Sequence, residues 1–100
     1  MVRMRFMANS RPADGITAGQ LAEFFDEHGF SAAAWNLVRH RVVTEYALKV
    51  GDVPGVVLFL ETESADEATA VLAGLTAVQQ GLLTFDLDPI GKTMSLGVGS

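Results

Sequence analysis

Residues 55 to 88 read GVVLFLETESADEATAVLAGLTAVQQGLLTFDLD, and the pattern of apolar and polar residues in this stretch decides the fold. The continuous apolar run Val56 to Leu60 is typical of a strand that is buried on both faces and therefore lies centrally in its sheet. Ser64, with Glu67 three residues later, is a capping box that predicts a helix over Ala65 to Leu75. The alternation of apolar and polar residues at the end of the stretch predicts another strand.

The first half of the chain contains a similar pair of strands. Val2 to Asn9 alternates apolar and polar residues, which predicts a strand, and the segment containing Pro12 is predicted to be a loop. Val42 to Val50 is rich in β-branched and aromatic residues and predicts a second strand. A turn containing Pro54 then leads back into the apolar run, so we expect these two strands to be antiparallel.

A long amphipathic helix is expected between the first two strands. Thr17 and Gln20 form another capping box, so this helix should begin at about Ala18 and end near Arg39. A second helix capped by Ser31 is the alternative to one kinked helix. At a spacing of about 100° per residue, one stripe, expected to lie on the sheet, contains the following residues: Leu21, Phe24, Phe25, His28, Ala32 and Trp35.

The complete pattern is βαββαβ, which predicts an α+β fold of the ferredoxin-like type, with a four-stranded antiparallel sheet and two helices on one face. We expect residues 1–91 to form one domain and the Gly-rich residues 92–100 to form a tail or an arm exchanged with a neighbouring subunit. Because two helices cover only one face of such a sheet, the apolar residues on its other face predict a subunit interface.

The composition excludes several classes of function. With 12 acidic and 7 basic residues and a net charge of −5, the chain is not expected to bind nucleic acid or an anionic membrane. It has no cysteine, which excludes disulfides and thiolate chemistry. No metal-ligand spacing and no phosphate-binding glycine motif occur, so we expect no metal and no other cofactor. The charged amino terminus predicts a cytoplasmic protein, and the abundance of Ala, Gly and Val is typical of a GC-rich bacterial genome.

Three features of the second half carry a family resemblance. Pro54-Gly55 forms a turn into a buried strand, an acidic capped helix covers Ala65 to Leu75, and a Gly-Leu-Leu strand runs from Gly81 to Pro89. With these features, residues 2 to 91 resemble the muconolactone isomerase-like and YciI-like branch of the dimeric α/β-barrel superfamily. The resemblance implies a homodimer in which two sheets pack face to face, with a higher oligomer left open. It also implies a pocket between the sheet and helices of each subunit.

The resemblance further implies a small cofactor-independent enzyme. The reaction expected from it is isomerisation or cyclisation, by proton transfer, of a hydrophobic oxygenated ring compound such as a lactone or a polyketide. A cofactorless monooxygenase of the same superfamily is an alternative. An alternative of a different class is a non-catalytic small-ligand-binding or assembly module, which the scarcity of titratable residues around the expected pocket favours.

Five residues are candidates for the site. His28 is the candidate proton carrier, because an imidazole titrates near neutral pH, and a histidine packed against backbone or water is the alternative. Trp35, Tyr46 and Phe24 are candidates for the aromatic wall of a substrate pocket, with ordinary core packing as the alternative. Arg39 is the candidate for binding a substrate carboxylate, with a solvated helix end as the alternative.

Overall fold

Within residues 3–28 and 32–91, which the computed structural model describes, the chain forms four strands and four helices. The strands are β1 (Met4–Pro12), β2 (Val43–Leu48), β3 (Val56–Thr62) and β4 (Leu83–Ile90). The helices are α1 (Ala18–His28), α2 (Ala32–Arg39), α3 (Ala65–Ala73) and α4 (Thr76–Gln79). The predicted α+β class is confirmed. The predicted tail over residues 92–100 lies outside the described residues.

The strands form one antiparallel sheet in the order β2-β3-β1-β4. Phe6 of β1 lies opposite Leu60 of β3 on one side and Pro89 of β4 on the other. Tyr46 of β2 lies opposite Leu58, and the pairing of β2 is irregular between Val43 and Glu45. The central position predicted for the apolar run of β3 is therefore confirmed, and β2 and β4 are the sheet edges.

One face of the sheet carries the hydrophobic core. The buried apolar side chains of the strands are Phe6, Ala8, Val43, Val56, Leu58, Leu60 and Leu83, and those of α1 and α3 are Leu21, Phe24, Ala68 and Leu72. Along β3 the buried positions alternate with half-buried ones such as Phe59. The apolar run led us to expect that β3 would be buried on both faces. In the structure its side chains are fully buried on the face that the helices cover and half-buried on the other face.

Both predicted capping boxes are present, with one variation. At the start of α1, the backbone N–H of Gln20 donates to Thr17 Oγ1 at 3.1 Å, and the Thr17 N–H donates to Gln20 Oε1 at 2.8 Å. At the start of α3, the Glu67 N–H donates to Ser64 Oγ at 3.1 Å. The Glu67 carboxylate, however, accepts from the N–H of Glu63 at 3.2 Å. The starts of α1 and α3 therefore have some of their unpaired backbone donors satisfied by side chains.

The two helix-to-strand junctions have the same backbone geometry. After α2, the N–H of Arg41 donates to Val38 O at 3.1 Å and the next N–H, of Val42, donates to Leu37 O at 3.0 Å. After α4, Gly81 donates to Val78 O at 3.0 Å and Leu82 to Ala77 O at 2.9 Å. Both are Schellman motifs, which place one residue in the left-handed conformation. That residue is Gly81, with φ 74°, in the second half and Arg41, with φ 59°, in the first.

The first helical region differs from the favoured expectation. The structure has two helices, α1 and α2, where a single helix was favoured, and the predicted cap at Ser31 lies outside the described residues. The apolar stripe of α1 does not continue through α2. Its second half was expected to place Trp35 on the sheet, but this side chain is 46% exposed and Ala34 is buried instead. Because α2 is a separate helix, its rotation about its axis is independent of the phase set by α1.

Two further boundaries were predicted wrongly. Strand β1 continues through Pro12, in the segment assigned to a loop. This is possible because the pairing with β3 ends at Asn9, and beyond that point β1 pairs only with β4. The stretch after Gly74, which was expected only to end a helix, forms the short helix α4.

None of the helices in the described part of the chain is long and apolar enough to cross a membrane.

Candidate functional site

The main candidate site is an apolar cleft beside strand β2, which we call the Lys49 cleft. Its volume is about 320 Å³, within the range typical of small-ligand pockets. It lies on the same side of the sheet as the helices, because Tyr46 and Leu48 lie opposite the core residues Leu58 and Val56. The lining residues are Phe25 of α1, Tyr46 and Leu48 of β2, Lys49 and Pro54 of the turn, and Gly55 and Val56.

Lys49 supplies the charge of the cleft. Its Nζ atom donates a hydrogen bond to the backbone carbonyl of Ser10 at 2.6 Å, and the side chain is partly buried. An ammonium has three donors, and this contact uses one of them. Across residues 3–28 and 32–91, no carboxylate lies within 4.0 Å of this ammonium. The cleft therefore has an apolar wall and one positive charge that no nearby carboxylate neutralises.

Gly55 permits this position of the lysine. A Cβ atom placed on Gly55 would lie 2.7 Å from Ser10 Oγ, closer than such contacts allow, and 3.0 Å from Lys49 Cδ, which is unusually tight. The Ser10 hydroxyl is itself held, because it accepts a 2.8 Å hydrogen bond from the Val56 N–H in the buried interior. Strands β1 and β3 and the turn after β2 thus meet around Gly55 without room for a side chain.

Phe25 separates the cleft from the interior. It lines the Lys49 cleft and also a void of about 40 Å³, which is close to the space of a single water molecule. Val56 lines both as well. The void is surrounded almost entirely by apolar side chains, among them Leu58 and Phe85. The cleft and this smaller space therefore share a wall formed by Phe25 and Val56.

His28 does not line the Lys49 cleft. It is the last residue of α1, its side chain is 42% exposed, and Nε2 lies 3.9 Å from Glu27 Oε2. Its ring packs against Phe24 with centroids 4.6 Å apart. Phe24 is buried and packs edge-on against Phe25, with centroids 5.6 Å apart. Phe24 is thus a core residue behind the cleft wall, and the role of His28 in proton transfer stays a prediction.

Of the other sequence candidates, only Tyr46 lines the cleft. Trp35 packs edge-on against it, with ring centroids 6.4 Å apart and the planes at 85°. Both rings are more than two-fifths exposed, at 46% for Trp35 and 44% for Tyr46. Arg39 is exposed at the end of α2 and is not a cleft residue. The structure brings the two candidate rings of α2 and β2 together, outside the buried core.

Sequence reasoning missed the polar residue of the cleft. Lys49 falls within the strand predicted over Val42 to Val50, but in the structure it comes one position after the end of β2 and reaches a residue 39 positions earlier in the chain. No local pattern specifies such a contact. Its one sequence signal is a lysine placed between an apolar strand and a turn rich in glycine and proline. Within the described residues no three His, Asp or Glu side chains are grouped as a metal ion would require.

Comparison with known proteins gives no assignment for this site. No protein-family model, no curated protein and no solved structure matches the chain.

Proposed function

We propose that this protein binds a small, largely apolar molecule in the Lys49 cleft. The observation that carries the proposal is the cleft itself, which has the volume of a ligand pocket and presents Phe25, Tyr46 and Leu48 as an apolar wall. Exposed apolar groups of this kind gain from being covered, at about 25 cal/mol per Å². A neighbouring ammonium supplies a polar anchor that fixes the orientation of a ligand.

The chemistry of the lining favours binding over proton transfer. The ionisable side chains that line the cleft are Lys49 and Tyr46, and neither a carboxylate nor an imidazole is among the lining residues within 3–28 and 32–91. General acid and base catalysis by a side chain needs a group within hydrogen-bond reach of the reacting proton. The non-catalytic small-ligand module is therefore the function that this geometry supports best, ahead of the isomerase or cyclase.

We also propose that the protein is a homodimer of the dimeric α/β-barrel type, built on a ferredoxin-like subunit. The element order, the sheet order β2-β3-β1-β4 and the helices on one face support this assignment. On the other face Met7, Val57 and Phe59 are half-buried apolar residues, and the Arg5 guanidinium lies 5.4 Å from the Phe59 ring centroid. Pairing two such faces would bury these residues.

The binding proposal is tested by calorimetry with 2-naphthoate and its neutral counterpart 2-naphthamide. We expect saturable binding of at least one probe at one site per chain. Leu48→Asp, which places a charge in the apolar wall, should abolish it. Val50→Asp is the matched control, because Val50 is 98% exposed and lies beyond the cleft lining. Absence of binding by both probes, or equal loss in both variants, would overturn the proposal.

The dimer is tested by sedimentation equilibrium. Phe59→Asp should convert a dimer to a monomer, because it places a charge in the apolar centre of the proposed interface. The same control, Val50→Asp, adds an equal charge at a fully exposed position and should leave the dimer intact. A wild-type protein that sediments as a monomer throughout the micromolar range would contradict the proposed interface.

A further inference from the structure

The wall and the anchor of the Lys49 cleft differ sharply in polarity, and this difference indicates which ligands fit. Three side chains of the wall, Phe25, Leu48 and Val56, have no polar atoms, and Tyr46 adds a phenol ring. In the part of the chain that the structure describes, the ammonium of Lys49 donates one hydrogen bond, to the carbonyl of Ser10. A ligand that fills this cleft therefore meets apolar surface along most of its length and a cation at one point.

Among the described residues Lys49 has no carboxylate partner, and a partly buried ammonium of this kind favours an anion over a neutral group. Removing a charge from water is costly, and a hydrogen-bonded counter-ion offsets part of that cost. A carbonyl dipole as the sole partner does not offset that cost. A carboxylate at this position would accept hydrogen bonds from the remaining N–H groups of the ammonium. The oxygen of a neutral amide would accept one hydrogen bond, and that bond would be weaker.

The position of the ammonium is fixed before a ligand arrives. Gly55 leaves the space that the lysine stem occupies, and the 2.6 Å bond to Ser10 holds the head group. Since β1 and β3 are central strands of the sheet, this anchor is attached to a rigid part of the molecule. Little side-chain entropy is then lost when a ligand binds, which favours affinity.

We propose that the Lys49 cleft selects amphipathic monocarboxylates, with the carboxylate on the Lys49 ammonium and an aromatic or aliphatic body against the apolar wall. The inference rests on the proposed binding function and names its ligand class. Arg39 and Arg41 are exposed at the end of α2 and are not lining residues, so the selectivity is assigned to one cation. The sign of the charge, rather than the shape of the ligand, is what Lys49 distinguishes.

Calorimetry with matched probes tests this selectivity. Wild-type protein should bind 2-naphthoate about 10- to 100-fold more tightly than 2-naphthamide, the range expected for a hydrogen bond between charged groups. Lys49→Met, which keeps the apolar stem, should reduce the affinity for 2-naphthoate to that for the amide and leave the amide within about twofold of wild type. Lys49→Arg should retain a preference for the carboxylate.

Two controls separate this charge effect from other causes. Arg39→Met removes one positive charge from an exposed residue that is not among the lining residues of the cleft, and it should leave both affinities unchanged, which excludes an effect of net charge. A thermal melt of Lys49→Met shows whether the variant is folded. If it is not folded, the role of the Lys49 charge is decided by Lys49→Arg together with the salt dependence of 2-naphthoate binding to wild type. Equal affinity for the two probes in wild type overturns the carboxylate proposal and leaves the binding function standing. Failure of both probes to bind overturns the binding function itself.

Discussion

The two halves of the chain have the same order of elements, strand, helix, helix and strand. They differ in how far their helices cover the strands. Helix α3 buries Ala68 and Leu72 and contacts β3, β1 and β4. Strand β2, which ends the first half, buries only Val43 of its six residues. The difference teaches that similar apolar patterns can serve two purposes, stability where α3 covers the strands and, at the exposed strand β2, the surface that we propose binds a ligand.

The largest contrast is expected for two leucines, one from each region. Leu72→Ala should lower the free energy of unfolding by about 2–5 kcal/mol, because it leaves a cavity against the sheet. Leu48→Ala should cost less than about 1 kcal/mol, because Leu48 is 65% exposed. Urea denaturation measures both values. Similar losses would show that β2 is covered in solution and would remove the contrast.

A smaller contrast is expected for two hydroxyl groups. Ser10→Ala should cost about 1–3 kcal/mol, because the buried N–H of Val56 then loses its acceptor. Thr44→Ala removes a long, exposed contact to Phe59 O at 3.4 Å and should change stability by less than about 0.5 kcal/mol. Amide exchange of Val56 gives an independent readout, since only the first substitution should speed it. Unchanged exchange in Ser10→Ala would contradict the role given to this hydroxyl.

The two Schellman motifs allow the halves to be compared at equivalent positions. Gly81→Ala should destabilise the protein by about 1–2 kcal/mol, because a residue with a Cβ atom is strained at the left-handed φ of 74°. Thermal or urea unfolding measures this loss. Gly91→Ala is a control, because a Cβ atom placed on Gly91 meets nothing within 4 Å and this glycine has no positive φ.

The reverse substitution in the first half should have the smallest effect and the opposite sign. Arg41 already has a left-handed φ of 59°, so Arg41→Gly relieves strain and should stabilise the fold by up to about 1 kcal/mol, less the greater chain entropy of glycine. The same unfolding experiment measures it. A loss of stability on this substitution would indicate that the arginine side chain makes a compensating contact.

Much of the fold could be predicted from sequence because its signals are local. The capping boxes at Thr17 and Ser64 act within a few residues, and their helices begin as predicted. The extension of β1 through Pro12 was not predictable in this way, because it depends on which neighbour pairs with that end of the strand. The exposure of Trp35 was missed for a related reason, since the rotation of α2 is set by its packing and not by the periodicity of α1.

The site was less predictable than the fold. Tyr46 was a candidate for the aromatic wall of a pocket because it is an aromatic residue, and in the structure it is one of the lining residues of the Lys49 cleft. Lys49 was not, because its position depends on a turn, on the missing side chain of Gly55 and on a carbonyl in another strand. Contacts between residues so far apart in sequence are specified by the tertiary structure as a whole.

The irregular pairing of β2 between Val43 and Glu45 has a consequence for behaviour at high concentration. A regular, exposed edge strand with side chains such as Tyr46 and Leu48 would recruit further chains into an extended sheet and then into aggregates. A bulge and a charge interrupt the row of hydrogen-bonding groups along this edge. The opposite edge, β4, carries Pro89, which has no N–H to donate. Both edges of the sheet therefore carry features that disfavour the addition of a further strand, and the exposed apolar cleft lies beside one of these edges.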